Sequence, residues 1–511
     1  MNSNIVKSRT SVFSVVIGFA ALVSTAGAQA KDFYQFSHFQ INAPFNISQE
    51  PIRANILSNK GKEIILIGEK QGAPRLAIFA FNEGEQTYQL NLDIALPKSY
   101  FSFDVSDESE AGQQSLYFLS SEHVVLFSPE NANPFTDIVD IRSIYVNHNA
   151  SYLKQADFVT DLNNDGLNDV LLADFRSLNI YLNQSDSENL NRYSKQALPI
   201  EPTVEIFTRR VSYTERPYYL VDMNLDSKQD IVITGDGELL VFSQTDQGSF
   251  ATEPETLAVN DDIKGINWWD SRGADGDNID QSDFSYKTVQ YLKDLNDDNL
   301  PDMVVKHTKS SGVLDKSNDY EVYLGKAVDG VLTYADKPNT TVRSDGTLAQ
   351  LDFIDINGDN KHEVMASSFD ISVSQIIGAL LTGSIDQQIL IFSLDQQQIY
   401  RQRFTEEVQL KFSLSSGKSG SPVIELADLD GDGLKELIIS DADNQLKIFP
   451  GKKQSTLLQS KYQYLDVRLP KDGSLLTSDD LNLDGKEELI VRYSSEDGGN
   501  KQSRLLIIQV E

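Results

Sequence analysis

One nine-residue pattern returns six times along the chain: DLNNDGLND at 161–169, DMNLDSKQD at 222–230, DLNDDNLPD at 294–302, DINGDNKHE at 355–363, DLDGDGLKE at 428–436 and DLNLDGKEE at 480–488. Positions one, three, five and nine carry a side-chain oxygen in every copy. They are Asp161, Asn163, Asp165 and Asp169; Asp222, Asn224, Asp226 and Asp230; Asp294, Asn296, Asp298 and Asp302; Asp355, Asn357, Asp359 and Glu363; Asp428, Asp430, Asp432 and Glu436; Asp480, Asn482, Asp484 and Glu488. Oxygen donors at alternate positions of a tight loop suit a hard cation of calcium's size. The carbonyl at position seven adds a ligand, from Leu167, Lys228, Leu300, Lys361, Leu434 and Lys486. Glycine or another turn residue near position six permits the bend. The expected cofactor is therefore calcium, about six ions, held with the roughly 10⁻⁴ to 10⁻³ M or tighter affinity of extracellular modules.

A polar turn without metal explains any single copy, because Asp, Asn and Gly favour turns on their own. Turn chemistry does not demand an acid at position nine six times over. An EF-hand is excluded, since its twelfth position must be a bidentate Glu on an exiting helix. Here the twelfth positions are Leu172, Ile233, Val305, Ala366, Ile439 and Val491, all apolar.

The elements around the loops must hold them. Position two is apolar throughout (Leu162, Met223, Leu295, Ile356, Leu429, Leu481), which predicts a side chain pinned in a core. Apolar, β-rich runs follow at once, as in Val170-Leu171-Leu172 and Leu489-Ile490-Val491, and read as buried strands. Strand-like stretches such as Tyr218 to Val221 precede the loops, and others such as Leu446 to Phe449 come after. The repeating unit is strand, acidic loop, strand, turn, strand.

On these loops and flanking strands the chain resembles the FG-GAP or VCBS repeat family, the β-propeller repeats also found in integrin α-chain heads. The resemblance implies calcium bound at positions one, three, five and nine of each loop. The Phe-Gly and Gly-Ala-Pro signatures of the family are missing around the six loops, with only Gly72-Ala73-Pro74 similar to the latter. Fold and metal carry over better than any activity.

Successive loops start 61, 72, 61, 73 and 52 residues apart, which fits four-stranded propeller blades. Ile64 to Gly68 with Leu76 to Phe81, and Leu116 to Leu119 with Val124 to Phe127, supply two strand groups without intact loops. The expected fold is an all-β propeller of eight blades, or seven if those two groups merge. The last unit is one strand short, and Phe33 to Ile41 offers a strand to complete it and remove both free edges.

The 76 acidic against 44 basic residues give a net charge of −32, which argues against nucleic acid as a partner. Cysteine is absent, excluding disulfides and thiolate chemistry. Lys7 and Arg9 precede an apolar run from Val12 to Val23, then small residues ending Ala28-Gln29-Ala30, so residues 1–30 read as a secretory signal peptide. No other stretch is long enough to span a membrane, and the mature chain, 31–511, is expected in the periplasm, at the outer surface or secreted.

Catalytic signatures are wanting. His38, His123, His148, His307 and His362 show no metal-ligand spacing, and His362 is expected to face solvent. Gly417-Lys418-Ser419 fails as a phosphate loop because Phe412 stands where Gly is needed, leaving a flexible linker before blade seven. Asp370 to Ser374 has the Asp-x-Ser-x-Ser order of adhesion metal sites but too little chain around it for such a domain. Two insertions break the rhythm. Residues 259–285 hold both tryptophans, Trp268 and Trp269, candidates for contacting a partner or a sugar; residues 371–386 carry an apolar stretch. The expected function is a binding, adhesion or assembly scaffold for a protein or glycan ligand. The alternative is a polysaccharide lyase or hydrolase on a calcium-stabilised propeller, which the acidic surface disfavours for acidic glycans.

Overall fold

The computed structural model describes residues 33–144, 153–186, 192–207, 210–265, 284–312, 315–369, 382–413, 418–453 and 455–511. The leader, Trp268, Trp269, His148 and most of the 371–386 insertion lie outside the described residues. Residues Tyr34–Glu511 form one unit, an eight-bladed β-propeller built from antiparallel sheets.

Blade 1 is built on Glu63–Lys70, Ala73–Asn82 and Thr87–Ala95, and blade 2 on Ser102–Val105, Leu116–Leu119, His123–Phe127 and Phe135–Asp140. The two early strand groups are thus separate blades, which gives eight and not seven. Blades 3 to 7 each begin with an inner strand: Val159–Thr160, Tyr218–Val221, Phe284–Lys293, Thr347–Ile354 and Ile424–Ala427. An extra hairpin, Thr203–Phe207 with Arg210–Thr214, stands between blades 3 and 4.

Blade 8 closes the ring. Its strands Leu476–Asp479, Glu488–Arg492 and Arg504–Val510 come from the end of the chain, and the fourth, Phe36–Asn42, comes from the beginning. Seven residue pairs run from Phe36↔Val510 to Asn42↔Arg504. This pairing covers an edge strand that would otherwise offer unpaired backbone to other chains.

Because each blade is sandwiched between two others, its second strand is buried on both faces and reads as a continuous apolar run, not an alternating one. Asp169–Ala173 and Asp230–Thr234 are buried at every residue. The apolar clusters form at blade junctions. Leu429, Ile438 and Ile448 of blade 7 pack with Leu476, Leu489 and Ile508 of blade 8. Leu481, Ile490 and Ile507 of blade 8 pack with Ile64, Leu66 and Phe79 of blade 1.

Strand alternation sorts the connections. First-to-second strand loops emerge on one face of the ring, and second-to-third turns and blade-to-blade crossings emerge on the other. All six acidic loops are first-to-second connections and so share one face.

Two expectations are corrected. Lys418–Gly420 is not a linker but a short strand paired with Lys411 to Ser413. His362 does not simply face solvent: its Nδ1 is buried without a hydrogen-bond partner, and burial together with Lys293 holds the ring below the usual histidine range.

Candidate metal-binding loops

Every loop is anchored as the pattern requires. The position-two side chains are buried: Leu162, Leu295, Ile356 and Leu481 at 0% exposure, Leu429 at 1% and Met223 at 5%. With that residue fixed, positions one, three and five turn away from the core.

The position-one carboxylate organises each turn. Asp161 accepts from the backbone N–H of Asp165 (3.1 Å) and Gly166 (2.8 Å), and Asp165 accepts from Leu167 (2.9 Å). The same bonds recur on Asp222, from Asp226 and Ser227, and on Asp480, from Asp484 and Gly485. In the loops at 294, 355 and 428 a further N–H, from Asp297, Gly358 or Gly431, joins at 2.8 Å.

Two residues per loop adopt left-handed backbone. Position six does so as Gly166, Ser227, Asn299, Asn360, Gly433 and Gly485. Position four does so as Asn164, Leu225, Asp297, Gly358, Gly431 and Leu483. The requirement at position four was not legible in the sequence, because leucine at two of the six hides it. Gly358 has a second reason to lack a side chain: a Cβ there would lie 2.8 Å from the Gly433 carbonyl of the next loop.

The position-nine acid is the least exposed of the oxygen-bearing side chains at positions one, three, five and nine. Asp169, Asp230 and Asp302 are 0% exposed, Glu436 2%, and Glu363 and Glu488 3%. One oxygen of each accepts from the position-two N–H, at 3.1, 3.0, 3.0, 3.0, 2.9 and 2.9 Å in chain order. The other oxygen of Asp169, Asp230, Asp302 and Glu436 accepts an N–H at or just past the end of the third strand, from Asn183, Gln244, Gly325 and Gly451. In Glu363 and Glu488 it accepts the position-three amide of Asn357 and Asn482. Each acid therefore clamps its loop to the blade. Burial is the main cause that pushes Asp169, Asp302, Glu363 and Glu436 up to about 7 and Glu488 up to about 8, reinforced by the loop aspartates.

Donor oxygens converge in the loops. One ligand atom from each of Asp428, Asp430 and Asp432 lies within 4.8 Å of the others. Partial burial, then Asp432 and Asp428 beside it, holds Asp430 above the usual carboxylate range. Asn296 Oδ1 and Asn482 Oδ1, both at position three, are buried with no hydrogen-bond partner. Their amide nitrogens donate to Asp298 and Glu488.

A degenerate seventh loop occupies blade 1. Glu63 accepts from the N–H groups of Ile56 (2.8 Å) and Leu57 (3.0 Å), repeating the clamp, but positions one, three and five are Asn55, Leu57 and Asn59. The spacing from Asn55 through Asn59 to Glu63 was the available signal, masked by Leu57 at a donor position.

Neighbouring loops are bonded edge to edge. The position-eight N–H donates to the preceding loop in His362 to Leu295 (2.9 Å), Lys435 to Ile356 (2.9 Å) and Glu487 to Asp428 (2.7 Å), and Lys62 of blade 1 likewise donates to Leu481 (2.7 Å).

On the opposite face a cleft of about 1070 Å³ opens between blades 6 and 7 and reaches blade 8. Seven carboxylates, among them Asp386, Glu407 and Asp441, line it against three cations, Lys411, Arg468 and Lys471. The N-terminal flank of the 259–285 insertion packs into the ring, with Val259 at 7% and Ile263 at 0% exposure. No helix among the described residues is long and apolar enough to cross a membrane.

The chain matches no protein family and no curated protein sequence. Its fold is similar to solved structures at low identity. An Agrocybe aegerita lectin described for specific recognition of non-reducing terminal N-acetylglucosamine is 12% identical, over 82% of this chain and 94% of that one, with a TM-score of 0.41. The exotype rhamnogalacturonan lyase YesX is 12% identical over 93% of this chain and 76% of its own, at 0.40. BBS1N in complex with ARL6DN is 9% identical over 92% and 97%, at 0.35.

Proposed function

We propose that this protein is an exported, calcium-stabilised propeller of the FG-GAP/VCBS kind that acts by binding a ligand. The observation that carries the metal reading is the pair of buried, unpartnered amide oxygens at position three, Asn296 Oδ1 and Asn482 Oδ1. A buried polar atom without a partner costs about 1–3 kcal/mol, and a hard cation in the loop supplies the missing partner. The convergent carboxylates of Asp428, Asp430 and Asp432 support the same reading, because clustered like charges disfavour ionisation until a cation compensates. Positions one, three and five, the position-seven carbonyl and the position-nine acid would hold the ion, which would tie each loop to its blade.

With one face given to the loops, ligand capture belongs to the other, where turns and crossings frame the cleft between blades 6 and 7. Its excess of carboxylates over cations fits a neutral or cationic glycan or protein surface and disfavours an acidic polysaccharide, which weighs against the lyase reading. The test is metal analysis of the purified mature chain with melts in chelator and after calcium is restored. About six ions, a lowered melting temperature in chelator and recovery on readdition are expected; no bound calcium and no thermal shift would sink the proposal.

A further inference from the structure

Blade 5 carries an arrangement that the loops do not need. Its first three strands, Phe284–Lys293, Asp302–Gly312 and Asp315–Tyr323, run antiparallel with Ser285 opposite Lys309, Lys287 opposite His307, His307 opposite Asp319 and Val305 opposite Glu321. Ser285, His307 and Glu321 therefore lie on one diagonal of one sheet face, each displaced by two residues from the last. The same face carries Val289, Val305 and Tyr323, which pack against Val232 and Val241 of blade 4. The diagonal opens on the ring face opposite the acidic loops.

Ser285 Oγ lies 2.8 Å from His307 Nε2, and His307 Nδ1 lies 3.1 Å from Glu321 Oε1. Glu321 is held on its other oxygen by a further donor, Lys287 Nζ at 2.6 Å, with the Tyr323 hydroxyl oxygen 3.2 Å away. Asp261 completes the support, accepting from Lys287 at 2.8 and 3.0 Å and from Tyr323 at 2.8 Å. Exposure rises along the row: 13% for the Glu321 side chain, 15% for His307, and an exposed Ser285. In the tautomer that donates Nδ1–H to the Glu321 carboxylate, Nε2 is the acceptor for the Ser285 hydroxyl.

We infer that Ser285, His307 and Glu321 form a hydrolytic site for short-chain carboxylic esters, with Ser285 as nucleophile, His307 as its general base and Glu321 as the residue that positions the imidazole. A purely structural knot would be complete with Lys287, Asp261, Glu321 and Tyr323. It gives no reason for an exposed hydroxyl aligned on the one basic nitrogen of a histidine oriented by a carboxylate, which is the arrangement nucleophilic catalysis requires.

Ser285 Oγ attacks the ester carbonyl carbon as its proton passes to His307 Nε2. Negative charge develops on the carbonyl oxygen, and Lys309, opposite Ser285 and only loosely paired with Asp319 at 3.8 Å, is the cation on that side. Collapse breaks the carbon–oxygen bond to the alcohol, which leaves with the proton from His307. Water, deprotonated by the same nitrogen, then attacks the acyl-serine and releases the carboxylic acid and free Ser285. Ester and water are consumed, and alcohol and acid are formed.

The experiment uses the full mature chain, an alkyl fluorophosphonate as covalent probe and p-nitrophenyl acetate as ester. Mass spectrometry is expected to place the probe on Ser285, and S285A to lose both labelling and at least about 100-fold of the ester hydrolysis at an unchanged melting temperature, since Ser285 is exposed. E321Q is expected to lower kcat about 10²- to 10⁴-fold with KM retained, a split that a merely structural residue would not produce. Folded wild-type protein that takes no probe at Ser285, or S285A hydrolysing ester at the wild-type rate, overturns the proposal.

Discussion

Filling the loops with calcium should expel protons, and the number can be worked out from the position-nine acids. In the metal-free fold burial, reinforced by the loop aspartates, raises Asp169, Asp302, Glu363 and Glu436 to about 7 and Glu488 to about 8. In an unfolded chain the same groups titrate near roughly pH 4. The metal-free fold thus holds protons that the unfolded chain has lost. Protonation stabilises it fully below about pH 4, and that stabilisation drains away as pH rises to about 8. A bound cation keeps these carboxylates ionised, so the loaded protein should not show the decline. At pH 7 loading should displace about half a proton from each of four acids and nearly one from Glu488, about three per chain. Isothermal titration with calcium in two buffers of different ionisation enthalpy reads this number directly. Release should fade by about pH 9, where the acids are already ionised. Six ions bound at pH 7 with no buffer dependence would refute the reasoning, because the buried acids would then be ionised without metal or uninvolved in holding it.

Two further outcomes follow from the backbone. Deleting residues 34–42 removes the strand that pairs with Arg504–Val510 and should lower the melting temperature and produce oligomers by size-exclusion chromatography, since an apolar edge strand is uncovered; a monomer of unchanged stability would contradict closure through that strand. Within one loop, Leu483→Gly and Leu481→Ala should move stability in opposite directions. Leu483 is 41% exposed in left-handed backbone at φ 55°, so glycine should be neutral to stabilising by up to about 1 kcal/mol. Leu481 is 0% exposed, and its truncation should cost about 2–5 kcal/mol by denaturant titration.

The acidic loops, their apolar anchors and the flanking strands are legible in the sequence because each is a local matter. Turn chemistry, donor spacing and a buried run are written within about a dozen consecutive residues. Even ring closure could be read, since a last blade lacking a strand and a spare strand at the other end of the chain complement each other. Tertiary structure decided whatever depends on register between strands. The position-nine acid looks like one more donor in the sequence; only the folded blade shows it clamping an N–H 14 residues on in Asp169 and 23 residues on in Asp302. The blade 1 loop around Glu63 lost its acids and kept its clamp, so composition hides what geometry keeps. Leu225 and Leu483 occupy left-handed backbone that their side chains do not advertise, held there by the turns around them. The meeting of Ser285, His307 and Glu321 has no local signature, because the residues are 22 and 14 positions apart and converge only where three antiparallel strands align on a diagonal.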